Sequence, residues 1–308
     1  MNDLHDVLYD VLCFGRALER PYTAVELFRM LPAHKKYTLE NIYYVLSLLK
    51  KKGDIHEENG FYALAPSFSF SLPRRTQDLM YDKKWKTLLR WRFLFSLIPH
   101  IDFVCVAGSC ALQNVHENSD FDVIIGCRTG RIFTVRFFAI CIFNMFGIRR
   151  TRIDHTTDAR NKICLNHFVT LSSYTLAPPY HAQWRYLYRN LIPLIVHNAK
   201  SWEAFLDANR SWTKLHNVFL DMRTHETSSH VLKNIFEYIG SGAFGNYFEK
   251  IIKKIQIARI TRALCTTPCI DPRICYTDHE LEFHPDLTKI HELLARYENC
   301  TCAFHKKM

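Results

Sequence analysis

The sequence predicts an α+β chain in three parts, on three observations. Residues 1–72 carry three amphipathic helical stretches followed by a short hairpin. Residues 73–176 set apolar strands between helices, and residues 177–308 read as mostly helical. At 308 residues the chain exceeds one ordinary core of about 100–150 residues, so several domains are expected. The 48% apolar and 23% charged content, with only 10 Gly and 11 Pro, excludes disordered, collagen-like and linker-dominated designs. The net charge of +10 favours anionic partners, nucleotides or nucleic acid.

Leu4, Val7, Leu8, Val11 and Leu12 define the first helical face. Thr23 with Glu26 forms a capping box for a second helix that buries Leu27, Phe28 and Leu31. Thr38 caps a third helix through Ile42, Val45, Leu46 and Leu49. It ends in Lys50, Lys51, Lys52 and Gly53, cations and glycine both suiting a helix C-terminus. In the following Asp54–Leu64 segment, Asn59-Gly60 signals a hairpin. Three helices and a hairpin resemble a winged helix, a class whose third helix commonly enters a DNA groove. Here that helix offers Glu40, Asn41, Tyr44 and Ser47, and the wing carries Glu57 and Glu58, which oppose phosphate contact. DNA binding and protein docking both stay open for residues 1–72.

Residues 66–78 read as a linker, and a long helix from Thr76 to Ile98 presents Leu79, Met80, Leu88, Leu89, Phe93 and Leu97 as its apolar face. Pro99 stops it. The eleven cysteines, and an N-terminus without an apolar signal core, predict free thiols and a cytoplasmic location. Neither Cys265, Cys269 and Cys275 nor Cys300 with Cys302 has the paired spacing of a structural zinc site. The longest apolar run, Phe137 to Ile148, falls short of the ~20 residues that span a bilayer, so no membrane association is expected.

The chemistry concentrates after Pro99. A buried strand, Asp102–Ala107, runs into Gly108-Ser109 and a short helical piece, Ala111–Val115. After the turn His116–Ser119 comes a second strand, Asp120-Phe121-Asp122-Val123-Ile124-Ile125. Period-two alternation puts Asp120 and Asp122 on one face. Two adjacent carboxylates repel, and a divalent cation such as Mg²⁺ or Mn²⁺ compensates them. Glycine lets a phosphate approach the backbone, and Ser109 adds a hydroxyl and an N–H.

Gly108-Ser109, ten residues and then Asp120-x-Asp122 in an apolar strand resembles the signature of the DNA polymerase β-like nucleotidyltransferase superfamily, over roughly residues 99–176. The stretches Gly130–Phe133 and Lys162–Asn166 resemble a group of poorly characterised bacterial nucleotidyltransferase-domain proteins. The resemblance implies Gly-Ser and the Asp pair on adjacent strands around a nucleoside triphosphate. It implies an Mg²⁺ (or Mn²⁺) complex held by Asp120 and Asp122, and transfer of a nucleoside monophosphate to an acceptor hydroxyl on nucleic acid or protein. Gly108 and Ser109 would cradle the β- and γ-phosphates. From Arg131 to Arg152 there are five arginines and no acid; Arg131, then Arg136, are the first choices to hold the triphosphate.

Catalytic members of the superfamily usually carry a third carboxylate on a later strand. The matching segment, Lys162–Val169, offers Cys164 or Asn166 instead, with Asp154 and Asp158 upstream in a polar stretch. That departure opens an alternative: a catalytically degenerate, nucleotidyltransferase-like regulator or antitoxin-like protein that binds DNA or a protein through residues 1–72. Beyond Pro178, Trp184, Leu187, Tyr188, Leu191 and Leu194 read as a helical face, followed by Trp202, Phe205 and Leu206 in another segment. A later helix carries Lys250, Lys253, Lys254, Arg259 and Arg262, a solvated face or a nucleic-acid track. Acids and histidines gather at Asp278–Pro285, which reads as a loop–strand element capping a last helix, Leu287–Tyr297, with a metal site as the alternative.

Overall fold

A computed structural model describes residues 2–31, 37–64, 70–151, 159–176, 190–210, 231–266, 272–284 and 287–305. The chain is α+β, with ten α-helices, a three-stranded antiparallel sheet and a six-stranded mixed sheet among these residues. Two compact units emerge: residues 1–80 with 288–308, and residues 81–287.

The first unit follows its local sequence signals closely, except that Phe28, expected to be buried, is exposed. Helices α1 (Asn2–Ala17), α2 (Ala24–Met30) and α3 (Leu39–Lys52) precede strands β2 (Ile55–Glu58) and β3 (Phe61–Leu64). Thr23 and Glu26 close the expected capping box, and Thr38 closes another with Asn41. Gly53 ends α3 at φ 77°, donating to the carbonyls of Leu49 and Lys50. Asn59 and Gly60 both have positive φ, 54° and 82°, as a two-residue hairpin turn of the right twist requires. Leu8, Leu27, Ile42, Val45, Leu46 and Leu49 form the buried core. Two features were not expected. Strand β1 (Tyr22–Thr23) pairs with β3, giving the order β1-β3-β2. The C-terminal helix, Thr288–His305, packs on α1, with the Phe14 and Tyr297 rings edge-on at 6.0 Å. It is part of this unit and not of a separate helical domain over 177–308.

Helix α4 (Ser71–Ser96) starts five residues before its expected Thr76 boundary, absorbing Ser71, Pro73, Arg74 and Arg75 of the expected linker; Pro66, Ser67 and Ser69 lie outside the described residues. Pro73 is tolerated because the first helical turn needs no N–H partner there. The expected apolar face is only half right. Leu79 and Phe93 are exposed, while Trp85, Leu88, Leu94 and Phe95 are fully buried.

The second unit is built on strands β4 (Ile101–Val106), β5 (Phe121–Cys127), β6 (Ile163–Val169), β7 (Ile192–Val196), β8 (Arg273–Tyr276) and β9 (Glu280–His284), in the order β7-β4-β5-β6-β9-β8. Only β5 and β6 run parallel, linked across helix α6 (Ile132–Met145). The region 177–308 therefore supplies three strands to this sheet, where a mostly helical region was expected. Leu194 lies in β7 and not on a helical face; Trp184, Leu187 and Tyr188 lie outside the described residues. Gly126 on β5 is required by packing, since a Cβ there would stand 2.2 Å from the Phe103 ring of β4. Phe103 in turn meets Tyr174, Trp202 and Phe205, the last two on α7 (Ala199–Ala208). Helices α8 (Val231–Ile239) and α9 (Gly242–Thr266) complete the unit, α9 packing on α6.

Candidate functional site

The carboxylates sit where two strand ends meet. Strand β4 ends at Val106 and the chain turns through Gly108 into the short helix α5 (Gly108–Ala111). Strand β5 pairs antiparallel with β4, and the Ala107 amide donates to the Asp122 carbonyl at 2.9 Å. Gly108, at φ 61°, lies so close to Asp122 that a Cβ would stand 2.4 Å from its Oδ2. Only glycine permits this approach. The turn before Asp120 is fixed from α4. Lys84 is buried and donates to the carbonyls of Glu117 and Ser119 and to Asn161 Oδ1 at 2.8, 2.8 and 3.1 Å.

Strand β6 supplies the third wall. In the parallel register Cys164 stands opposite Asp122, and Asn166 Nδ2 donates to Asp122 Oδ1 at 3.4 Å. Ligand atoms of Asp120, Asp122 and Cys164 all lie within 4.8 Å of one another. The guanidinium of Arg150 pairs with Asp120 and reaches Cys164 Sγ at 3.7 Å. Burial, then the neighbouring Asp120 charge, push Asp122 up to about 7, against the pull of Arg150. Burial and the same two carboxylates push the Cys164 thiol well above its ordinary range. Burial opposes the charge on Arg150, but Cys164, Asp120 and Asp122 outweigh it and hold the guanidinium above its ordinary value.

These residues fit a hard divalent cation in part. Two carboxylates on one strand face, with space preserved by Gly108, are oxygen ligands of the kind Mg²⁺ or Mn²⁺ takes. A thiol in the third position suits a softer metal and does not suit Mg²⁺. Asp154 and Asp158 lie outside the described residues.

The two expected phosphate arginines are not at the pair. Arg131 follows the other end of β5, a strand of seven residues and therefore about 20 Å long. Its Nε donates to the Gly240 carbonyl at 2.9 Å and it caps α6. The first amides of α6 are taken as well: Phe133 and Thr134 donate to the Glu249 carboxylate at 2.9 and 2.8 Å. Arg136 donates to Gln256 Oε1 at 2.5 Å and lies over the Phe283 ring. Arg150 is the arginine that meets the carboxylates. It belongs to the same acid-free run, but spacing alone could not choose it, because the fold of 146–151 brings it back to β6 through the bridge between Arg149 and Ile163.

A cavity of about 470 Å³ opens beside β6. Arg136, Arg149, Arg150 and Arg259 line it together with Cys164, Asn166 and apolar side chains from α6 and α9. Phe137 and Ile140 are only partly buried because they face this space, and Cys141 and Phe146 are exposed. A second acid–histidine group, His167, Glu280 and Glu282, has metal-like spacing. Its charge is already met: Arg273 Nε donates to both oxygens of Glu282 at 2.7 and 2.8 Å, and His284 stands 3.4 Å away.

Among known proteins, no family model, no curated protein and no solved structure matches this chain. No described helix is long and apolar enough to cross a membrane.

Proposed function

We propose that residues 81–287 form a nucleotidyltransferase-type module that binds a nucleoside triphosphate with Mg²⁺ or Mn²⁺ and transfers the nucleoside monophosphate to an acceptor hydroxyl. The observation that carries this reading is the packing of Gly108 against Asp122 across β4 and β5, with Asp120 beside it and β6 parallel to β5. Asp120 and Asp122 would hold the cation, which supplies charge neutralisation at the phosphates. Gly108 and Ser109 offer backbone that a phosphate can approach. Arg150 neutralises the carboxylates in the metal-free protein and is placed to turn toward phosphate when they ligate. In the transfer, the acceptor oxygen bonds to the α-phosphorus as the α–β bridging bond breaks. Pyrophosphate leaves with that electron pair, and the hydroxyl proton passes to water.

Incubation of the full chain with Mg²⁺ or Mn²⁺ and each radiolabelled nucleoside triphosphate tests this. Labelled product and calorimetric binding of the metal–nucleotide are expected. Both are lost on joint Asp120→Ala and Asp122→Ala substitution, and equal binding by that variant would sink the assignment.

Cys164 in the third position and the Arg150–Asp120 pair favour a second reading, a nucleotide-binding regulator without transfer. Binding without pyrophosphate release, combined with release gained on Cys164→Asp, selects it. We propose that the first unit, winged-helix-like in its order of elements, is a docking module. Tyr43, Tyr44 and Leu48 are exposed on α3, which favours protein contact. The wing acids are engaged locally, Glu57 with Lys50 at 2.8 Å and Glu58 with the Ser71 hydroxyl at 2.5 Å, so they repel phosphate less than their sequence suggests. Retardation of a DNA duplex at low salt that Lys51→Glu with Lys52→Glu abolishes would favour DNA instead.

A further inference from the structure

The cavity beside β6 gathers positive charge in its lining. Among the described residues its lining contains four arginines and no carboxylate. Arg150 is paired with Asp120. Arg136 and Arg259 have no carboxylate partner among the described residues, and the buried Nε of Arg136 has no hydrogen-bond partner. Burial, then Arg149 and Arg259, pull the Arg136 guanidinium down to about 10. Asn144, Thr151, Asn166 and Gln256 add neutral polar groups, and an apolar part of the wall carries Phe137 and Ile140 from α6 and Ile252 and Ile255 from α9. At about 470 Å³ the space matches a small-molecule pocket. Crowded guanidiniums beside apolar walls select a ligand with a multiply charged anionic head and an apolar body.

The sheet order separates this space from Gly108. Gly108 follows β4, on one side of β5, whereas the cavity is lined by β6, β8 and β9, on the other. Asp122 lies between them, contacting Gly108 on one side and Asn166 of the cavity wall on the other. We propose that this cavity binds an organic phosphate monoester and that this molecule is the acceptor side of the reaction. Guanidiniums from α6 and α9 hold its phosphate, and its apolar body lies along Phe137 and Ile140. The acceptor role rests on the transferase reading above; phosphate-ester binding does not.

Calorimetric titration of the full chain at low salt, with chelator and without nucleotide, tests the binding directly. Phenyl phosphate, inorganic phosphate and benzoate are the probes. Phenyl phosphate is expected to bind roughly tenfold more tightly than inorganic phosphate, because only it uses the apolar wall, and more tightly than benzoate, which carries one charge. Arg136→Met and Arg259→Met each weaken it roughly tenfold, as loss of a charged hydrogen-bonding partner does. Lys51→Met, in the other unit, leaves it unchanged. Arg259 is exposed, so its variant reports on binding even where Arg136→Met disturbs packing. Arg259→Met binding as tightly as wild type, or benzoate matching phenyl phosphate, overturns the proposal. Because no metal or nucleotide is present, Asp120→Ala with Asp122→Ala can lose metal–nucleotide binding while phenyl phosphate still binds, which separates the two readings. Competition between metal–nucleotide and phenyl phosphate would show that one ligand uses both places and overturns the acceptor assignment.

Discussion

Two clusters of arginine and carboxylate, one in each unit, look alike in composition and differ in balance. In the first unit Arg20 and Arg74 are 3% exposed and both pair with Glu26 and Asp78. Two further donors are used: Arg20 reaches Gln77 at 2.8 Å, and Arg74 Nε reaches the Pro21 carbonyl at 3.1 Å. Two cations meet two anions, so burial is compensated. In the second unit Arg150 pairs with Asp120 beside Asp122, while Arg136 and Arg259 line a cavity with no acid among the described residues. The first cluster is finished by the protein. The second is left uneven, too negative at the strand end and too positive in the cavity, and such departures from local satisfaction mark places where a ligand completes the charge.

If that contrast is right, neutralising one member should have opposite signs in the two clusters. The largest effect belongs to Arg74→Met. It removes a buried cation from a matched group, and about 3 kcal/mol of stability should go with it. Early loss of hydrogen-exchange protection over Ala24–Met30 reads this out. Unchanged protection would break the comparison, because it would make the balanced cluster as dispensable as a surface pair.

Asp122→Asn should do the reverse and stabilise the metal-free protein, by about 1 kcal/mol above neutral pH. The sign follows from the raised carboxyl. Folding lifts Asp122 from 3.8 to about 7, so between those values the native state holds a proton that the unfolded chain has lost. Wild-type stability therefore falls as pH rises through this window, and the asparagine variant lacks that slope. Melting temperatures in chelator should coincide near pH 4 and diverge by pH 8. A variant that melts lower than wild type at pH 8 would mean that Asp122 is a structural acid like Glu26.

Much of the first unit was legible because its signals are local. Thr23, Thr38, Gly53 and Asn59-Gly60 each act within a few residues of themselves, and each does what its chemistry dictates. The Asp120-x-Asp122 face and its Gly108 neighbour were legible for the same reason, two strands joined by a short connection. The site's other half was not. Arg150 and the cavity depend on a parallel crossover, and on α9, which lies about a hundred residues further along the chain. Lys84 carried no signal either, because a lysine on an amphipathic helix reads as solvated until its carbonyl partners are known. Strand β8 escaped because four residues of mixed character give almost no periodicity.

The smallest effect concerns thiols and sharpens the same contrast without touching stability. In the first unit Cys13 and Cys300 bring their sulfurs to 2.8 Å, and the hydrogen bond between them, aided by Arg16, draws Cys300 down to about 7 against burial. In the second unit Cys164 sits beside two carboxylates that oppose a thiolate. The thiolate is the reactive form. Iodoacetamide should therefore label Cys300 with a rate that climbs through pH 7 and levels near pH 8, while Cys164 stays unlabelled in the same sample. Peptide mass spectrometry follows both in one experiment. Cys13→Ala should move the Cys300 inflection upward toward that of an ordinary thiol. Joint Asp120→Asn and Asp122→Asn should make Cys164 more reactive, because both charges that hold its proton are then gone. Labelling of Cys164 ahead of Cys300 in the wild-type chain would mean that the carboxylates are not ionised beside it, and that the negative imbalance at the strand end is not there to be met by a cation.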